Sequence, residues 1–146
     1  MDFADGLPKE AVARLAAEWL REDVPSLDVG GMVVGSGPGE AVLWMKQAGV
    51  VCGRPFFDAV FAALGCEVRW AVREGARMAV PPGGRVEAAR VTGPTHRLLQ
   101  GERCALNCLA RTSGIATLCA DLVAAARDVG WQVRAERESG RAVERD

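Results

Sequence analysis

Apolar residues recur at helical spacing near the amino terminus, where Val12, Leu15, Ala16, Trp19 and Leu20 form one stripe that ends before Pro25. That three-and-four rhythm predicts a helix buried along one side. Pro8 stands just ahead of it, where a first turn has no use for the missing N–H. Gly30 to Glu40, GGMVVGSGPGE, has no such rhythm and reads as a flexible lead into a strand. From Glu40 to Ala48 the chain alternates, with Val42 and Trp44 opposite Leu43 and Met45, and Gly49 to Cys52 gives a short second strand. Gly53 breaks the run. Pro55 then opens a helix in which Phe57, Val60, Phe61 and Leu64 keep the three-four spacing until Gly65. Cys66, Val68, Trp70 and Val72 alternate with Glu67, Arg69 and Arg73, the pattern of a half-buried antiparallel strand.

Glu74-Gly75 makes a turn, and strands are predicted over Ala76 to Val80 and Arg85 to Thr92, because Pro81-Pro82-Gly83-Gly84 between them cannot continue a central strand. Gly93-Pro94 launches the longest periodic stretch. Leu98, Leu99, Ala105, Leu106 and Leu109 give its apolar side, with an interruption at Gly101 and a close near Ser113-Gly114. A further helix follows, with Leu118, Leu122, Ala125 and Val129 turned inward and Gly130 ending it. Trp131-Gln132-Val133 reads as the opening of another strand. Arg134 to Asp146 mixes four arginines with four acids and is expected to be disordered. These elements predict an α+β domain, an antiparallel sheet covered by helices on one side.

The polar side of the long stretch narrows the chemistry. Arg103, Asn107 and Arg111 fall at i, i+4 and i+8, so two guanidinium forks and an amide stack along one face. Such a row suits a carboxylate or phosphate; the plainer account is a solvated face with Arg111 favouring the helix C-terminus. A net charge of -1, from 18 basic and 19 acidic side chains, offers no broad field for nucleic acid or membrane, so any anion recognition is local. The 146 residues suffice for one ordinary core. No secretory signal is seen, and no uninterrupted apolar stretch approaches the ~18 to 20 residues that span a bilayer, so a cytoplasmic location is expected.

Other candidate chemistry is weaker. Five cysteines, Cys52, Cys66, Cys104, Cys108 and Cys119, form no CxxC pair and read as reduced thiols, with Cys104 and Cys108 as small buried hydrophobes rather than metal ligands. Glu22, Asp23 and Asp28 sit in a predicted loop without a histidine, so no metal site is expected there. The glycines of Gly30 to Glu40 are not a phosphate loop, because Pro38 removes a donor and no Lys follows. His96 lies in a first helical turn, lacks a partner acid in sequence and is expected to be exposed. Met45-Lys46-Gln47 is the nearest approach to the modifiable-lysine hairpin of a carrier domain, and reads as strand.

The string GERCALNCLARTSGIAT, Gly101 to Thr117, closely resembles the quinolinate phosphoribosyltransferases, the carboxylating nicotinate-nucleotide pyrophosphorylases. WLREDVPSLD (Trp19 to Asp28), GVVCGRPFFDAVFAALGCEVRW (Gly49 to Trp70) and VTGPTHRLLQGER (Val91 to Arg103) extend the likeness over most of the chain before its tail. The resemblance implies a pentosyltransferase that converts quinolinate and phosphoribosyl pyrophosphate, with magnesium, to nicotinate mononucleotide, pyrophosphate and carbon dioxide for NAD synthesis. It implies an N-terminal lid of the hammerhead-like, open-faced sandwich kind over residues 1–112. Residues 113–133 are then the start of an α/β barrel and residues 134–146 a charged tail. In that family the lid caps the barrel mouth of a partner subunit, and the arginine matching Arg103 holds a substrate carboxylate in trans. Glu102, Asn107 and Arg111 are expected to support it.

The chain also departs from the family. A barrel takes on the order of 200 residues, and only about 30 follow the lid. Where family members have a Thr-Arg-Lys-Thr segment, this chain has Arg134-Ala135-Glu136-Arg137-Glu138. The expectation is a truncated form that contains no catalytic residue, binds no cofactor of its own, is inactive alone and exposes an apolar patch at Leu118, Leu122 and Val129. The alternative is a non-catalytic interaction protein that pairs with full-length subunits, as a homo-oligomer or a mixed one.

Overall fold

Helix α1 (Lys9–Asp23) starts directly after Pro8 and buries Val12, Ala16 and Leu20, the inner line of the predicted stripe. In the computed structural model residues 6–24 and 29–130 are described. Asp28, the strand expected at Trp131 and the tail at 134–146 lie outside them. Glu22 and Asp23 belong to the last turn of α1 rather than to a loop. A short helix, α2 (Val29–Val34), replaces part of the predicted flexible lead and packs on the long C-terminal helix. Six residues hold too few apolar positions to show a helical period, which is why pattern reading passes over it.

Strand β1 (Pro38–Met45) starts two places before the predicted Glu40 and carries an irregularity between Leu43 and Trp44. β2 (Gly49–Val50) is short, and Gly53, at φ 106°, takes a left-handed turn into α3 (Arg54–Ala63). Two successive N–H groups at the start of α3 are capped from a distance. Gly53 N–H donates to Glu74 Oε1 at 2.7 Å and Arg54 N–H to Glu74 Oε2 at 3.0 Å, placing a carboxylate where the helix dipole is positive. Phe57, Val60 and Phe61 face inward from α3, as their spacing predicts.

β3 (Glu67–Trp70), β4 (Arg77–Met78) and β5 (Val86–Pro94) complete the strands. β5 lies between β1 and β3, antiparallel to both, and β2 pairs with β4 in a separate two-stranded ribbon. Val91 and Ala88 of β5 join Phe57, Val60, Phe61, Leu98, Ala105 and Leu109 in the core. The other face of the sheet carries the exposed Arg69 and Arg90, with Arg90 paired to Glu40 and Glu87 and Arg69 to Glu67. Helices therefore cover one side only.

The last element corrects the sequence reading. α4 (Thr95–Asp128) is one helix of 34 residues, with neither an interruption at Gly101 nor a close at Ser113-Gly114. A Cβ at Gly101 would lie 2.8 Å from Phe61 Cε1 and 2.9 Å from Leu64 Cδ1, so this glycine lets α3 and α4 approach closely. Past it, hydroxyls hold the helix to the β2 edge. Val50 N–H donates to Thr117 Oγ1 at 2.8 Å and Cys52 N–H to Ser113 Oγ at 3.0 Å, while Thr112 Oγ1 and Ser113 Oγ donate to Cys52 O. The outer half does not turn Leu118, Leu122 and Val129 inward; Leu118 and Leu122 are each 61% exposed, which gives the expected apolar patch. Although Arg103, Arg111 and Asp121 interrupt its apolar runs, α4 is long and apolar enough to cross a membrane by length and composition. Its first half supplies Leu98, Gly101, Cys104, Ala105 and Leu109 to the core, however, and Asp121 in its second half pairs with Arg77 at 2.5 Å. We read it as a helix of this fold.

Candidate functional site

Where α1 ends against α4, the two helices are held in register by Cys104, whose thiol donates to Trp19 O at 3.6 Å. Trp19 in turn packs against Phe56 of α3, their rings tilted by 48° with centroids 5.8 Å apart. Above this seam opens a cleft of about 500 Å³ lined by Trp19, Glu22, Asp23, Arg103, Cys104, Asn107 and Cys108. A second cleft of about 510 Å³ adjoins it and takes its walls from Asp23, Gly31, Leu99, Glu102, Arg103 and Asn107 among others. Arg103 and Asn107 border both.

The Arg103 side chain is 76% exposed, and its Nε lies 3.6 Å from Asp23 Oδ1. That separation is a charge contact rather than a hydrogen bond. The Nη1 and Nη2 groups donate no hydrogen bond among the described residues, so the fork is open to solvent. Glu102 is exposed beside it, while Arg111, also exposed, stands two turns along α4 from Arg103 and lines neither cleft. Burial first, and then the Asp23 charge, push the Cys104 thiol up, against the pull of Arg103. Burial does the same to Cys108. Both stay protonated, as neither a nucleophile nor a soft-metal ligand would.

His96 is not exposed as expected. It is half-buried at the start of α4 with Nδ1 enclosed and without a hydrogen-bond partner among the described residues, away from both clefts. No group of three or more His, Cys, Asp or Glu suited to a metal occurs among the described residues. Asp23 faces a guanidinium instead, so these residues do not fit a magnesium site. Asp23 and Trp19 are the site residues that sequence reasoning missed. No local signal marks their contact with α4, since the Asp23–Arg103 pair joins residues far apart in the chain.

The geometry meets its relatives here. Residues 27–113 match the family described as quinolinate phosphoribosyl transferase, N-terminal domain. The chain belongs to that family. It is 51% identical over 125 residues to the nicotinate-nucleotide pyrophosphorylase [carboxylating] of Rattus norvegicus, covering 86% of this chain and 40% of the relative. The Homo sapiens protein of the same name is also 51% identical over 125 residues, with 86% and 41% covered. Among solved structures, NadC from Streptococcus pyogenes superposes with a TM-score of 0.75 at 30% identity, over 84% of this chain and 44% of that one. The chain thus spans about two fifths of the length of these quinolinate phosphoribosyl transferase relatives, and its antiparallel sheet with helices on one side is the fold of their N-terminal domain. The Arg103 clefts therefore lie on a chain that matches the N-terminal domain of that family.

Proposed function

We propose that this chain acts as the lid of a carboxylating nicotinate-nucleotide pyrophosphorylase, presenting Arg103 to a carboxylate of quinolinate held in the barrel of a partner subunit. The observation that supports this reading is the guanidinium fork at the α1–α4 seam, which pairs with Asp23 through Nε and donates no hydrogen bond from its terminal amino groups among the described residues. A planar fork meets a carboxylate through two parallel charge-assisted hydrogen bonds, which fixes the orientation of the ring as well as its charge. Asn107, bordering the same clefts one turn on, adds an amide beside the fork, and Glu102 and Arg111 support the helix face.

Glu22, Asp23 and Glu102 surround Arg103 with negative charge. A dicarboxylate therefore binds the free lid weakly, and the complementary cations belong to the partner. Phosphoribosyl pyrophosphate and its magnesium belong to the barrel as well. On this reading residues 1–112 are the lid and 113–133 lead toward a barrel. The chain pairs with barrel-bearing subunits in the cytoplasm, as a homo-oligomer or a mixed oligomer, and turns over no quinolinate alone.

The test is co-expression with a full-length family member whose own lid arginine has been replaced. A mixed oligomer should co-purify and regain quinolinate turnover. Arg103→Ala in this chain should raise the KM for quinolinate by about ten- to a hundredfold, the scale of losing hydrogen bonds to a charged group. Failure to co-purify, or an unchanged KM, would sink the reading.

A further inference from the structure

The geometry points to Asp23 as the positioning residue of Arg103: its carboxylate takes the inner Nε edge of the guanidinium and so turns the two terminal amino groups toward an incoming carboxylate. This inference rests on the reading that Arg103 meets substrate, and names what aims it.

Four observations carry it. Oδ1 of Asp23 pairs with Nε at 3.6 Å, and neither terminal amino group of Arg103 hydrogen-bonds to it. That is close enough to orient the group by charge and too long to occupy it as a hydrogen bond. The two side chains are unequally placed, with Asp23 23% exposed and Arg103 76% exposed, so the anchored carboxylate directs the free guanidinium. The backbones beneath them are in fixed register, because the Cys104 thiol donates to Trp19 O one turn before Asp23. Finally, Asp23 is the last residue of α1. A helix C-terminus disfavours a carboxylate, so the stability of α1 does not account for an acid at this position.

The opposite role is also chemically coherent. A carboxylate beside Arg103 can compete with substrate as an internal stand-in. The two roles differ in sign, since a competitor raises KM and its removal lowers it, whereas loss of a positioning group raises KM.

The experiment uses the 146-residue chain carrying Asp23→Asn or Asp23→Glu. In the mixed oligomer with full-length subunits that lack their own lid arginine, Asp23→Asn should raise the KM for quinolinate about three- to fivefold with kcat unchanged, the size of change that a largely exposed ion pair gives. Asp23→Glu should recover part of it, which loss of fold would not. In the chain alone, nitrogen-detected NMR of the Arg103 Nε–H should show exchange with water accelerated several-fold by Asp23→Asn. A KM that stays constant or falls overturns the positioning role, and so does an unchanged Nε–H exchange rate. Arg103→Ala is the separate control. If it leaves KM unaltered, the substrate reading fails, while the NMR measurement still decides whether Asp23 holds the guanidinium.

Discussion

Single residues in this domain differ sharply in what their surroundings ask of them. Four thiols, Cys52, Cys66, Cys104 and Cys108, are pushed up chiefly by burial, whereas Cys119 stands exposed on α4. Iodoacetamide should therefore label Cys119 well before the other four in the native protein, read by peptide mass spectrometry, and all five should react at comparable rates in denaturant. Asp58 is pushed above the usual carboxylate range by desolvation, even though Trp70 Nε1–H donates to it at 2.6 Å and Arg54 lies nearby. Because the folded carboxyl holds its proton more tightly than the unfolded one, this group weakens the fold as pH rises through its folded pKa and has no effect below the unfolded value. Asp58→Asn keeps an acceptor for Trp70 and should raise Tm near neutral pH, with the gain vanishing under acidic conditions where both states are protonated. Gly101→Ala pits helix propensity against space. The added methyl meets Phe61 at 2.8 Å, and overpacking should dominate with a net loss of about 1–2 kcal/mol in denaturant melts.

Elements whose pattern is local were legible in the chain, and those fixed by distant contacts were not. The stripes of α1 and α3 repeat over neighbouring turns, so Val12, Ala16, Leu20, Phe57, Val60 and Phe61 are inside as expected. α4 is continuous although Gly101 and Gly114 look like breakers in the sequence. Gly101 answers to Phe61 and Leu64 on another helix, and the chain past Gly114 is held by Thr117 on the β2 edge. The same limit applies to the site, where Arg103, Asn107 and Arg111 share a helix face by spacing alone, but Asp23 reaches Arg103 only through the packing of α1 on α4. Thr117→Val removes the acceptor for Val50 N–H and should cost about 1–2 kcal/mol, since it leaves a partly buried donor unmatched. Amide hydrogen exchange at Val50 should quicken with it, while Ala105, deep in the first half of α4, stays protected.

Across the whole molecule, α4 is packed along its first half and exposed along its second. Leu118 and Leu122, each 61% exposed, follow a first half built into the core, and the chain covers only 40% of its Rattus norvegicus relative. Replacing both leucines by lysine should abolish concentration-dependent self-association in sedimentation velocity while changing stability by no more than about 0.5 kcal/mol, because neither side chain is buried here. The unbroken run of α4 also ties its two ends mechanically. Residues 103 and 122 are about 28 Å apart along the axis at 1.5 Å per residue. Pivoting such a rod by about 5° would sweep its tip through roughly 2.5 Å, nearly the length of a hydrogen bond. Any tilt of α4 as a rigid rod at the distal leucines is thus felt at the Arg103 guanidinium, as at the far arm of a lever.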